Sequence, residues 1–322
     1  IGQIFVIATL FAAWLGGIHT YGALLVVGVC LGVAGASFAA ALPLASRWYP
    51  PEHQGTALGI TGAGNSGTVF AALLAPGLAA VHGWTNVFGL ALLPLGVVFV
   101  LFLLLARDAP GAPPPMPMKG YGAVLREADL WWLMAFYFIS FGGFVGIASS
   151  LVVFFNVEYG LPPATAGYFA ASCIFAGSLV RPFGGYMADR VGGARALLWM
   201  FGLAAVALAI VSLRLPEAWM TTAVLVGAMF ALGMGNGAVF QLVPLRFSRQ
   251  LGVATGLIGM AGGVGGFLLA FLIGLSKELT DSYRAVFLAF ALSTIVALLG
   301  VSRIGRRWRI RWRDTCAVTA RI

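Results

Sequence analysis

Charge is what this chain has least of. Asp, Glu, Lys and Arg together make up 9% of its 322 residues, and only 10 residues are acidic. Every acid (Glu52, Asp108, Glu127, Asp129, Glu158, Asp189, Glu217, Glu278, Asp281 and Asp314) falls in a joint or near the end of a hydrophobic run. Paired-carboxylate catalysis deep in those runs is thereby excluded, as is a buried acid that would attract a cationic substrate. The 3 histidines (His19, His53, His82) stand apart at loop edges, and the 3 cysteines (Cys30, Cys173, Cys316) are far from one another. Neither set has metal-ligand spacing or a disulfide framework, and no nucleophile–base pair is evident. The sequence therefore predicts no enzyme, no metal and no cofactor.

What is abundant is hydrocarbon. Hydrophobic residues make up 61% of the chain, and its mean hydropathy is +0.97. A soluble domain cannot hide that much apolar surface, so the solvent must be lipid. Runs of membrane-spanning length are expected at 1–18, 22–46, 56–81, 85–106, 130–156, 163–187, 194–213, 219–245, 252–276 and 283–302. The predicted class is an all-α integral membrane protein.

The net charge of +9 suggests nucleic acid until the charges are placed. With residue 1 on the cytoplasmic side, the basic residues gather in inner joints and the tail. Only Arg214, Lys277 and Arg284 fall outside, and Arg181 lies within a run. That is the positive-inside pattern, with both visible termini cytoplasmic. It speaks for a lipid bilayer as partner and against nucleic acid. The tail from Arg303 to Arg313 carries Trp308 and Trp312 and suits anionic headgroups.

The chain also repeats itself. Gly55, Gly59 and Gly62 return as Gly252, Gly256 and Gly259, an offset of 197 residues, and Gly32…Phe38…Pro43 is echoed by Gly233…Phe240…Pro244. A parallel repeat of this length indicates two similar halves around a central path. Four domains are expected: a partial N-terminal bundle over 1–106, a Pro-rich cytoplasmic linker over 107–129, a six-helix bundle over 130–303 and a basic tail over 304–322. The offset places the start of a symmetric first half about 67 residues before Ile1, so ten of twelve helices are expected here, the first two missing.

Arg181 stands eight residues before Asp189, about 12 Å up a helix, and no acid answers it. It either snorkels to the interface or faces a substrate, and a guanidinium fork suits a planar oxyanion. Asn65, Tyr137, Phe38, Phe141 and Asn236 converge on its depth, roughly 10–16 Å from the cytoplasmic face. Each alone reads equally as packing or helix–helix hydrogen bonding. The run 62–67 spells G-x-G-x-x-G but follows no strand, so Gly62, Gly64 and Gly67, with Gly259, Gly263 and Gly266, read as helix-packing residues. Gly185, Asp189, Arg190 and Gly192 form a cytoplasmic turn that reads as a structural or gating element, Asp189 capping the next helix or pairing with a basic neighbour.

That turn resembles the G-x-x-x-D-R-x-G loop of the major facilitator superfamily. The segments around Asn65 and Asn236, with Arg181-Pro-Phe-Gly-Gly185, are similar to the nitrate/nitrite porter family. The resemblance implies two six-helix bundles and alternating access to a central anion site between two arginines. Arg181 matches the one on the eighth helix, and its partner is expected upstream of Ile1. Asn65, Tyr137, Phe38 and Phe141 match positions that line or sandwich the anion. The implied function is transport of nitrate or nitrite across the cytoplasmic membrane of a prokaryote, as an antiporter or proton-coupled, with no obligate protein partner. Carriage of another small anion (cyanate, formate, a dicarboxylate) is an alternative, as is a non-transporting sensor or relic.

Overall fold

The computed structural model describes residues 2–16, 18–35, 42, 44, 48–49, 53–107 and 118–311. Among them every regular element is a helix, as a lipid solvent demands, because each buried backbone group must find its partner within its own segment. Eight helices are long and apolar enough to cross a membrane, and two shorter apolar ones, Gly2–Gly16 and Tyr21–Val33, precede them.

In chain order these are α1 (Gly2–Gly16), α2 (Tyr21–Gly35), α3 (Gln54–Gly62), α4 (Gly67–His82) and α5 (Trp84–Leu105). A 3-10 turn, Ala63–Ser66, joins α3 to α4 within one span. After a short α6 (Met118–Leu125) come α7 (Ala128–Tyr159), α8 (Pro163–Leu179), α9 (Arg181–Val191), α10 (Gly193–Val211), α11 (Ala218–Phe247), α12 (Leu251–Thr280) and α13 (Arg284–Arg311). The repeat is visible in this order: the glycines from Gly55 open α3 and those from Gly252 open α12.

Nearly all the buried core lies within α7–α13. There α7 packs on α12, α10 on α11 and α13, and α11 on α8. By contrast no residue of α5 is buried, and α1 leans on it through Trp14, whose indole donates to Asn86 Oδ1 at 2.9 Å. Among the described helices, the N-terminal ones meet the rest mainly along one seam. The α3–α4 span lies along the α8–α9 span, with α3 also touching α11.

The basic end differs from the expected tail. Helix α13 continues to Arg311, and Trp308 is 1% exposed, not at a headgroup surface. Its indole N–H donates to Asp129 Oδ1 at 2.7 Å. Arg246 donates to Asp129 Oδ2 at 2.8 Å and to Glu127 Oε2 at 2.6 Å. A buried carboxylate at the start of α7 thus ties down the ends of α11 and α13. Trp312 and Cys316 lie outside the described residues.

Candidate functional site

Two interruptions meet at the middle of the seam. In one span, α3 tightens into the 3-10 turn at Ala63, which alters the hydrogen-bond ladder around Gly62. In the other, α8 stops at Leu179 and α9 starts at Arg181, with Pro182, which has no N–H, in its first turn. Arg181 is 1% exposed, and its Nη1 donates to the Gly62 carbonyl at 3.0 Å. Its Nε and Nη2 have no partner. The guanidinium lies 4.5 Å from the Phe144 ring centroid and 5.4 Å from that of Phe141. Aromatic faces attract a cation without neutralising it. The snorkelling alternative is therefore not what the structure places here: the group points inward, with one of its three nitrogens bonded and the other two without a partner.

The residues around it share that condition. Tyr137, fully buried, stacks on Phe141 at 4.9 Å between centroids and meets the Phe240 edge at 4.8 Å, yet its hydroxyl is unpaired. Asn236 is 2% exposed and neither end of its amide is bonded. Tyr137, Arg181 and Asn236 line one enclosed cavity with Gly62 and Phe240, and its volume is about 10 Å³. That is room for about one water molecule, so an anion of several atoms requires the surrounding helices to separate. Asn65 sits one 3-10 turn beyond Gly62 with its Nδ2 unpaired. Phe38 lies outside the described residues. Several buried unpaired polar groups at one level are the mark of a site built for something else to satisfy, because each costs stability as it stands.

Glycines bring the helices this close, though not all those expected. A Cβ on Gly59 would lie 2.6 Å from the Arg181 carbonyl, and one on Gly237 2.6 Å from the Gly185 nitrogen and 2.7 Å from the same carbonyl. Gly62 and Gly266 have neighbours in ordinary or slightly tight contact. Around Gly64, Gly67, Gly259 and Gly263 no described atom lies within 4 Å of a Cβ position. On α12 it is Gly262 that approaches the site, its Cβ position 2.6 Å from the Tyr137 ring and 2.8 Å from that of Phe141. A glycine-rich run does not reveal which of its faces is packed; one residue turns the helix by about 100°.

The seam is shut on both sides of the cavity. Toward one end, Asp189 Oδ1 accepts from Gly55 N at 3.2 Å, while Oδ2 accepts from Thr56 N at 3.0 Å and Thr56 Oγ1 at 2.9 Å. The expected capping thus occurs, but on α3 of the other half instead of the next helix, where the first free N–H groups and the positive end of the dipole favour a carboxylate. Gly185 packs directly on the Gly55 backbone, so it serves this approach and not the turn. Only Gly192, at φ +97°, makes the reversal into α10. Arg190 stacks over Tyr186 at 4.4 Å. Toward the other end, a Cβ on Gly167 would stand 2.6 Å from the Ala72 carbonyl, so α4 and α8 touch as closely.

Comparison with known proteins agrees with this architecture. The Major Facilitator Superfamily profile matches residues 1–270. The chain is 34% identical over 287 residues to the nitrite extrusion protein of Bacillus subtilis (strain 168), covering 89% of this chain and 72% of that one. It is 32% identical over 295 residues to the probable nitrate/nitrite transporter NarK2 of Mycobacterium tuberculosis, covering 90% and 73%. Among solved structures, the human organic anion transporter MFSD10 aligns with a TM-score of 0.70 at 14% identity, over 93% of this chain and 75% of that one. The transporter FucP in its outward conformation aligns at 0.65 and 16% identity, over 94% and 82%. At such identities these two speak for the fold alone.

Proposed function

Because this chain belongs to the nitrate/nitrite porters of the major facilitator superfamily, we propose that it carries nitrate and nitrite across a membrane by alternating access. The observation that carries the proposal is Arg181: a buried guanidinium with two unpartnered nitrogens, lying over two aromatic rings, with no carboxylate bonded to it. A planar oxyanion satisfies such a fork through two parallel bonds. Tyr137 donates its hydroxyl, Asn65 and Asn236 offer amide N–H groups, and Phe141 walls the slot. Phe38 is assigned the opposite wall by resemblance. Transport consists of parting the seam on one side at a time, with the Asp189 clasp as the gate at its end. The pattern of basic joints supports a cytoplasmic-membrane location with the Asp189 end inward. No carboxylate among the described residues lies at the depth of Arg181, which favours exchange of one anion for another over proton coupling.

The test is uptake of labelled nitrate by proteoliposomes loaded with nitrite. Exchange predicts uptake that depends on internal nitrite and is competed by external nitrite, with cyanate, formate and dicarboxylates much weaker. Uptake indifferent to internal nitrite, or competed best by one of those other anions, contradicts it.

A further inference from the structure

Behind the site, α7 turns a second face toward the membrane. Two cavities there, of about 510 and 170 Å³, share Phe138, Ile139 and Ser293 and so make one slot. It runs along α7 between α12 and α13, from Trp131 and Trp132 at the Asp189 end to Leu272 and Val286 toward the other. Its origin is uneven packing. Helices α7 and α12 interlock through Gly142, Gly146 and Gly265, while α13 leans on α10 and meets α7 and α12 only lightly. The walls are apolar and open outward: Val296 is 69% exposed and Trp131 57%.

The mouth of this slot is charged. On α13 the lining residues Ser293, Val296 and Ala297 follow three-and-four spacing, and the same face continues to Gly300, Arg303 and Arg307. Gly300 fixes that face against the slot, since a Cβ on it would stand 2.9 Å from the Trp132 ring. Arg303 follows about 4.5 Å farther along the helix axis and Arg307 about 10 Å. On the other lip is Arg126, next to Leu125, whose carbonyl accepts the Trp131 indole N–H at 2.9 Å. All three arginines are exposed, and among the described residues their guanidinium groups make no hydrogen bond or ion pair. The nearby acids are engaged, Asp129 by Arg246 and Trp308 and Glu127 by Arg246.

An apolar slot within the hydrocarbon layer, indoles at its rim and unengaged guanidinium groups at its mouth together fit a lipid with a phosphate head. A choline head would bring its own cation against the arginines; an anionic head would not. We propose that the α7–α12–α13 slot binds an anionic phospholipid from the leaflet on the Asp189 side. Its acyl chain lies along α7, and its phosphodiester is held by Arg303, Arg307 and Arg126. The bound chain braces the back of the helix whose opposite face carries Tyr137 and Phe141.

Native mass spectrometry of the purified protein tests this, with added phosphatidylglycerol and phosphatidylcholine of matched chains. The wild-type protein is expected to retain one phosphatidylglycerol at least tenfold more tightly than phosphatidylcholine. Arg303→Ala with Arg307→Ala should abolish that preference, Arg303→Lys with Arg307→Lys should keep most of it, and Ala297→Trp, which fills the slot, should lower binding of both lipids. Equal retention by the double alanine and Ala297→Trp variants would overturn the site. So would a mass of two chains in place of chain plus lipid, which would make a second copy the occupant. Lipid mass is read without anion flux, so this result is independent of the transport assay.

Discussion

The Asp189 clasp makes a quantitative prediction about which way the protein faces. Asp189→Asn keeps the size of the side chain but leaves one oxygen where there were two. Placed at the Oδ2 position, that oxygen still accepts from Thr56 N and Oγ1, while the new amide N–H₂ faces the Gly55 N–H, a donor against a donor. Losing the charge weakens the two surviving bonds, removes the dipole attraction at the α3 N-terminus, and leaves one donor unmet. Together these come to about 2 kcal/mol. The bonds join the two halves and exist only while this end is shut. The loss should therefore shift the balance toward the state open at this end by roughly thirtyfold, at 1.4 kcal/mol per tenfold. Spin labels at His53→Cys on one half and Val191→Cys on the other, in a background without native cysteines, report the separation. Double electron–electron resonance should show a longer distance gaining most of the population in Asp189→Asn. Thr56→Val, which removes only one bond, should give a shift of about fivefold, near 1 kcal/mol. Identical distance distributions in wild-type protein and Asp189→Asn would refute the clasp as a gate.

Three further outcomes follow from the same geometry. Tyr137→Phe removes a hydroxyl that has no partner, so thermal stability should hold or rise slightly while the nitrate KM increases about tenfold, the equivalent of one hydrogen bond to an anion; a drop in melting temperature with KM unchanged would make the hydroxyl structural. Gly237→Ala should lower the melting temperature by several degrees, because its Cβ meets backbone of α9 that cannot yield, whereas Gly64→Ala should be silent. Trp308→Phe should cost about 1–2 kcal/mol in unfolding stability by taking a donor from buried Asp129 while keeping the ring contact with Phe136; no loss would mean that water replaces the indole.

The spans were legible because lipid permits few alternatives: the run expected at 130–156 is Ala128–Tyr159, and that at 219–245 is Ala218–Phe247. The height of Arg181 above Asp189 was legible too, since both stand in one helix and rise per residue converts sequence into height. What height cannot tell is azimuth. Gly262, not Gly263, touches Tyr137, and Phe144, which carries the shorter cation–π contact, gives no signal in sequence because an aromatic on a greasy helix looks like any other. Partners distant in sequence were invisible too: Asp189 and Thr56 are 133 residues apart. The buried end of α13 did carry a signal. Val301, Ile304 and Trp308 keep the spacing of one buried helical stripe among the arginines, and that stripe outweighs the basic composition.

The central claim, that Arg181 holds the anion through its fork, is tested most directly by nitrate affinity in Arg181→Lys, measured by calorimetry on the purified protein beside the wild type. Lysine keeps the charge but cannot offer two parallel bonds, so affinity should fall at least thirtyfold, about 2 kcal/mol, with the protein still folded and monodisperse. Nitrate bound as tightly by Arg181→Lys as by the wild type would contradict it.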